Sequence, residues 1–170
     1  MSTDVALLII RLLIGLIMAA HGAQKLFGWF GGRGFEGAMR MTQSQRFRPA
    51  PFWAVMAGLT ELSGILIALG LLTPVGELGV IASMTMAIIT VHWPRFFASN
   101  NGIEYPLTLL VTALAVAISG PGVYSVDALL RLSLPEPATL IVGLVLVLLG
   151  TVLALGTRVP QQQAAQQATV

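Results

Sequence analysis

The stretch VALLIIRLLIGLIMAAHG, residues 5–22, decides the fold. It holds one charged side chain, Arg11, in an otherwise apolar run. A bilayer crossing asks for about 20 such residues, with about 17–25 as the working range. Four more stretches approach that length, at residues 52–72, 75–93, 103–119 and 137–157. In the shortest of these, Pro106 suits a first helical turn, and Gly120–Pro121–Gly122 is a stop signal. The whole chain agrees: of 170 residues, 56% are apolar and 9% charged, with a mean hydropathy of +0.86. Soluble domains carry roughly 25% charged residues. A soluble globular domain, a disordered chain and a nucleic-acid-binding module are therefore excluded. The isoelectric point near 9.7 rests on nine basic against seven acidic side chains, too thin a basis for a phosphate-binding surface. The chain has no cysteine, which removes dithiol chemistry, thiolate metal sites, iron–sulfur ligation and disulfides.

These observations predict an all-α integral membrane bundle in the lipid bilayer. Residues 23–51 form a polar segment between the first two spans, and Thr73–Pro74 makes a tight turn between the second and third. Residues 159–170 read as a short flexible tail. The first span reads as an uncleaved helix, because its N-terminal flank has an acid and no base and its exit lacks a small-x-small site. One side of the expected bundle holds Lys25, Arg33, Arg40, Arg46, Arg48, Arg95 and Arg158, and the other holds Arg131. That bias places the N-terminus outside and the C-terminus in the cytoplasm of a plasma (inner) membrane. Trp29, Trp53 and Trp93 fall on the same cytoplasmic boundary, as an aromatic belt does. Residues 124–134 are weakly amphipathic and are expected to lie on the outer surface.

Ionisable groups inside spans cost about 2.5–3.5 kcal/mol each on insertion scales, so each needs a partner or a role. Counted from the expected span ends, Arg11 and Glu61 differ in depth by roughly 7–8 Å at 1.5 Å per residue. Arg11, Gly15, Met18, Gly22 and Lys25 form one stripe of the first span, and Ala57, Glu61, Gly64 and Ala68 one stripe of the second. Small residues at such spacings let membrane helices approach closely. A buried Arg11–Glu61 ion pair is the expected result. It either fixes helix register or sets the proton affinity of a working carboxylate.

A second polar group gathers at the cytoplasmic boundary, where His21, Gln24, Lys25, His92, Glu104 and Tyr105 reach similar depth. Such donors and acceptors hold a polar head group whose tail lies in lipid, and a quinone is one such ligand; a wet belt of snorkelling helix ends is the other reading. His21 and His92 also permit bis-imidazole haem ligation, but paired histidines at a membrane surface more often serve as hydrogen-bonding groups, so haem is disfavoured. No metal site is expected. Residues 32–37 satisfy G-x-G-x-x-G, but a membrane helix precedes them where a dinucleotide site needs a strand. The basic stretch around Arg40, Arg46 and Arg48 suits anionic lipid or a cytoplasmic partner.

The landmarks in order are Arg11, then His21–Gly22–Ala23–Gln24–Lys25–Leu26–Phe27–Gly28, Gly58–Leu59–Thr60–Glu61 and Gly70–Leu71–Leu72–Thr73–Pro74. They continue with Val91–His92–Trp93–Pro94, Gly102–Ile103–Glu104–Tyr105–Pro106 and Gly120–Pro121–Gly122–Val123–Tyr124–Ser125–Val126–Asp127. This series resembles the DoxX family. The resemblance implies a four-helix membrane domain over residues 1–134, with a basic cytoplasmic loop at 23–51 and an additional fifth transmembrane helix at 135–158. It also implies similarity to the membrane subunit of thiosulfate:quinone oxidoreductase. On that basis the expected function is the membrane subunit of a quinone-linked, thiosulfate- or thiol-stress-related oxidoreductase. In this reading His21, Gln24, Lys25 and Tyr105 bind quinone while Glu61 and Glu104 move protons. With no cysteine or flavin motif, such a subunit needs direct transfer between substrates or a redox partner subunit. The alternatives are a non-catalytic membrane anchor or assembly subunit, and a small-molecule or ion carrier built around Arg11 and Glu61.

Overall fold

A computed structural model describes residues 2–160; residues 161–170, most of the expected tail, lie outside the described residues. The described residues are all-α, with one isolated antiparallel bridge between Phe47 and Arg158 in place of any sheet. The helices are α1 (Ser2–Phe27), α2 (Gly34–Ser44), α3 (Ala50–Leu62), α4 (Gly64–Leu69), α5 (Val75–Ala87), α6 (Glu104–Ser119), α7 (Val126–Leu130) and α8 (Ala138–Gly156). A π turn, Ile88–His92, extends α5, and a 3₁₀ turn, Ala98–Asn100, precedes α6.

Among the described residues, four segments are long and apolar enough to cross a membrane: Thr3–Phe27, Ala50–Leu69, Val75–His92 and Ala138–Gly156. The protein is therefore a multi-pass membrane protein. The stretch expected as the fourth of five spans is α6, an apolar helix of 16 residues that falls short of that length. The expected polar segment at 23–51 is largely helical. α1 runs on to Phe27 because Ala23 and Lys25 continue its buried face, and Lys25 in its last turn complements the helix dipole. α2 then packs on α3 and α1.

The packing of α1 on α3 and α4 sets the register of the bundle. A Cβ on Gly15 would stand 2.5 Å from Ala68 N and 2.6 Å from Gly64 O, and one on Gly22 would stand 2.4 Å from Leu62 N. Backbones meet there with no side chain between them. In lipid such contact replaces the hydrophobic drive that water supplies to soluble bundles. α3 bends into α4 at Ser63, whose hydroxyl donates to Thr60 O (2.8 Å) and Gly76 O (2.9 Å). α4 ends on Gly70, which is left-handed (φ 63°); Gly70 N–H donates to Ile67 O and Leu71 N–H to Leu66 O, a Schellman cap. Ile14, Met18, Ile67, Val80, Met84, Leu109 and Val116 fill the core between α1, α4, α5 and α6. α8 lies on α5 with its C-terminal half buried at Thr151 and Ala154, and its other flank exposes Ile141, Leu148 and Leu153.

Gly15→Leu should destabilise the bundle by about 3 kcal/mol or more, because the added side chain meets backbone that cannot rotate away. Leu13→Ala, at a position 61% exposed, should leave stability nearly unchanged. Thermal unfolding of both variants in detergent checks the contrast.

Candidate functional site

The lower part of the α1 stripe carries Lys25 to the wall of a cavity. Lys25 Nζ donates to Glu61 Oε1 at 2.5 Å, and Ser83 Oγ of α5 donates to the same oxygen at 3.2 Å. Glu61 is 5% exposed, and its Oε2 has no hydrogen-bond partner. A buried carboxylate with one free oxygen is able to accept a further hydrogen bond or a proton. The cavity in front of it measures about 460 Å³ and runs between α2, α3, α5 and α8. Its walls are chiefly apolar, with Met56, Met86 and Leu146 among them, and Thr42, Thr60 and Thr90 add scattered hydroxyls. This is the common build of a small-molecule site: apolar walls and a few placed polar groups. The methionine walls are soft and adjust to irregular shapes.

α8 supplies one wall through Gly143, Leu146, Val147, Gly150, Thr151 and Ala154. A Cβ on Gly150 would meet nothing within 4 Å, so that position opens onto free space. The chain beyond α8 is tied to the segment between α2 and α3. Arg158 Nε donates to Gln45 O (3.0 Å), Val159 N–H donates to Arg46 O (3.0 Å), and the Arg158 guanidinium lies 5.3 Å from the Phe47 ring centroid.

The expected Arg11–Glu61 pair does not form. Antiparallel packing sets Gly22 beside Gly58 and Leu62, so Glu61 lies near the level of Gly22. That level is eleven residues along α1 from Arg11, roughly 16 Å at 1.5 Å per residue. Depth counted from hydropathy ended α1 at Gly22 and missed the extra turn that carries Lys25 inward. Arg11, fully buried, donates instead through Nη2 to Tyr124 O at 2.5 Å. Its acidic neighbours are Glu77 and Asp127.

The expected quinone group divides as well. His21 and Tyr105 face each other, with Nε2 and the phenol oxygen 3.4 Å apart, in an exposed position. His21 and Gln24 line a separate depression of about 270 Å³ with Ile17, Ala20 and Phe30. Among the expected ligands, Lys25 and Glu61 line the large cavity, whereas His21, Gln24 and Tyr105 do not. Glu104 lies away from it too: its Oε2 accepts from Ala98 N–H at 2.8 Å and closes the turn before α6. His92 Nδ1 lies 2.9 Å from Asn101 O, so the two histidines have different neighbours. Sequence reasoning missed Ser83 and the α8 wall. A serine that meets a buried carboxylate across two different helices leaves no spacing signal in the chain.

Lys25→Met should cost about 3 kcal/mol, because Glu61 then stays buried without its cation. Adding Glu61→Leu should recover most of that loss. Chemical unfolding of the single and double variants in detergent micelles measures both steps.

Residues 6–93 match the family described as DoxX. The chain is also 28% identical over 128 residues to the Bacillus subtilis (strain 168) protein named "Putative oxidoreductase CatD", covering 74% of this chain and 87% of that one. No solved structure matches the chain. The matched region holds α1 to the end of the α5 π turn, and so contains Lys25, Glu61, Ser83 and Arg11; α6, α7 and α8 lie beyond it. Spanning more than half of the 170 residues, this match makes the chain a member of the DoxX family.

Proposed function

We propose that this protein is the membrane subunit of a quinone-linked oxidoreductase, with the quinone head group held in the Lys25–Glu61 cavity. The observation that carries the reading is a half-buried lysine paired with a buried carboxylate, one oxygen of which has no hydrogen-bond partner, in the wall of an otherwise apolar cavity of about 460 Å³. The donor set fits a quinone: a cationic donor, a hydroxyl and a carboxylate stand at one point of a lipid-like enclosure. A bound quinone supplies a two-electron, two-proton acceptor. Lys25 Nζ would hold a head-group oxygen and would stabilise negative charge there. Glu61 Oε2 holds the proton that such an oxygen takes, and Ser83 together with Lys25 fixes the orientation of Oε1. α8 excludes lipid and leaves head-group room at Gly150. Electrons come from a small reductant or a partner subunit, for which the exposed Arg33, Arg40 and Arg48 around α2 form the docking side. The name of the Bacillus subtilis relative supports the oxidoreductase class.

In this reading α6 completes a fifth crossing, so the four-helix family core occupies residues 1–134 and α8 is the addition. The basic end, with α2 and Arg158, then faces the cytoplasm of the plasma membrane and the N-terminus lies outside. A fluorescent protein fused after Val170 should be bright inside a bacterial host; a well-expressed but dark fusion would reverse the orientation.

Trp53 lines the cavity and provides the probe. Titration with a short-chain ubiquinone should quench tryptophan fluorescence saturably. Lys25→Met and Gly150→Phe should each weaken that binding at least tenfold, or about 1.4 kcal/mol. Wild-type affinity in both variants would remove the head group from this cavity and favour the membrane-anchor reading.

A further inference from the structure

A second buried charged cluster stands where α1, the α4–α5 turn, α5 and α7 meet, at the end of the bundle away from α2. Arg11 is 0% exposed, Glu77 1% and Asp127 5%. Gly70 makes the room for the arginine, since a Cβ there would stand 1.5 Å from Arg11 Nη1. Asp127 is fully engaged. Its two oxygens accept from Leu72 N–H (2.8 Å) and Thr73 N–H (2.9 Å), which ties α7 to the turn after α4. Arg11 Nη2 holds Tyr124 O, while its Nε and Nη1 have no partner. Glu77 is not engaged in this way. No hydrogen bond from another residue reaches either of its carboxylate oxygens, and Thr73 Oγ1 beside the same turn is unpartnered too.

The charges decide what this arrangement binds. Arg11 is the one cation against Glu77 and Asp127, its two acidic neighbours. Asp127 is held by two backbone donors, whereas Glu77 is the stronger electrostatic neighbour of the arginine and yet makes no hydrogen bond to it. One cation against two carboxylates leaves a surplus negative charge, and it falls on Glu77, whose buried oxygens accept no hydrogen bond. A single proton removes that surplus and turns an orphaned acceptor into a hydroxyl donor. The titratable groups of α6, Glu104 and Tyr105, sit at its far end and take no part.

We propose that Arg11, Thr73, Glu77 and Asp127 form a proton-binding site in which Glu77 takes up and releases the proton. On release the O–H bond of Glu77 breaks heterolytically, the proton passes to water at the α7 face, and Arg11 Nε and Nη1 are the donors at hand for the carboxylate left behind. The site is separate from the Lys25–Glu61 cavity and does not depend on what that cavity binds.

Infrared difference spectroscopy between acidic and alkaline buffer, on the full chain in lipid, tests it. A carboxylic C=O band should appear on acidification, shift when glutamate side chains carry ¹³C, and vanish in E77Q. Should E77Q not fold, the band should survive removal of each of the other four glutamates, Glu36, Glu61, Glu104 and Glu136, one at a time. No titrating carboxylic band, a band insensitive to glutamate labelling, or a band lost in E61Q would each overturn the assignment.

Discussion

The contact of α1 with α3 and α4, backbone on backbone at Gly15 and Gly22, is the constraint from which the rest follows. Lipid gives two apolar helices no reason to leave it for one another; close approach and polar contacts must do so. Because Gly15 meets Gly64 and Ala68, and Gly22 meets Gly58 and Leu62, the helices have one register. That register brings Arg11 to Gly70 and the α7 segment, and brings Lys25 to Glu61. A slip by one turn would strand a lysine, an arginine and two carboxylates among apolar side chains.

The same register separates the polar chemistry of the bundle into two buried places. One is the Lys25–Glu61–Ser83 point in the wall of a cavity, where one carboxylate oxygen has no hydrogen-bond partner. The other is the closed cluster around Arg11, where Asp127 caps the turn after α4 and Glu77 stands without a donor. Neither belongs to one helix: the first draws on α1, α3 and α5, and the second on α1, α5, α7 and the turn after α4. α8 adds a wall to the first place alone, and the contacts of Arg158 with Gln45 and Phe47 and of Val159 with Arg46 hold its C-terminal end there.

Apolar runs and turn residues made the helical membrane architecture legible, and the stripe Arg11–Gly15–Met18–Gly22–Lys25 correctly marks the buried face of α1. The partner of Glu61 was not legible, because hydropathy ends a span where polar residues begin while the helix continued through Gln24 and Lys25 to Phe27. The same rule treated residues 23–51 as a loop, although Ala38 and Thr42 of α2 are buried against the bundle. His21, Gln24 and Tyr105 share a depth with Lys25 but face another direction, and depth alone carries no information about azimuth around a helix. Glycines on α8 have no chemistry to flag them; Gly143 reaches the cavity wall by packing on Leu78 of α5, and Gly150 stands free of any neighbour.

The central claim is that a quinone head group sits beside Lys25 and Glu61. A photoreactive azidoquinone, activated on the protein in lipid and followed by peptide mapping, reads its position directly. The account predicts labelling on the cavity walls, at Met56, Met86 and Thr151. Labelling confined to the His21–Tyr105 surface would contradict it.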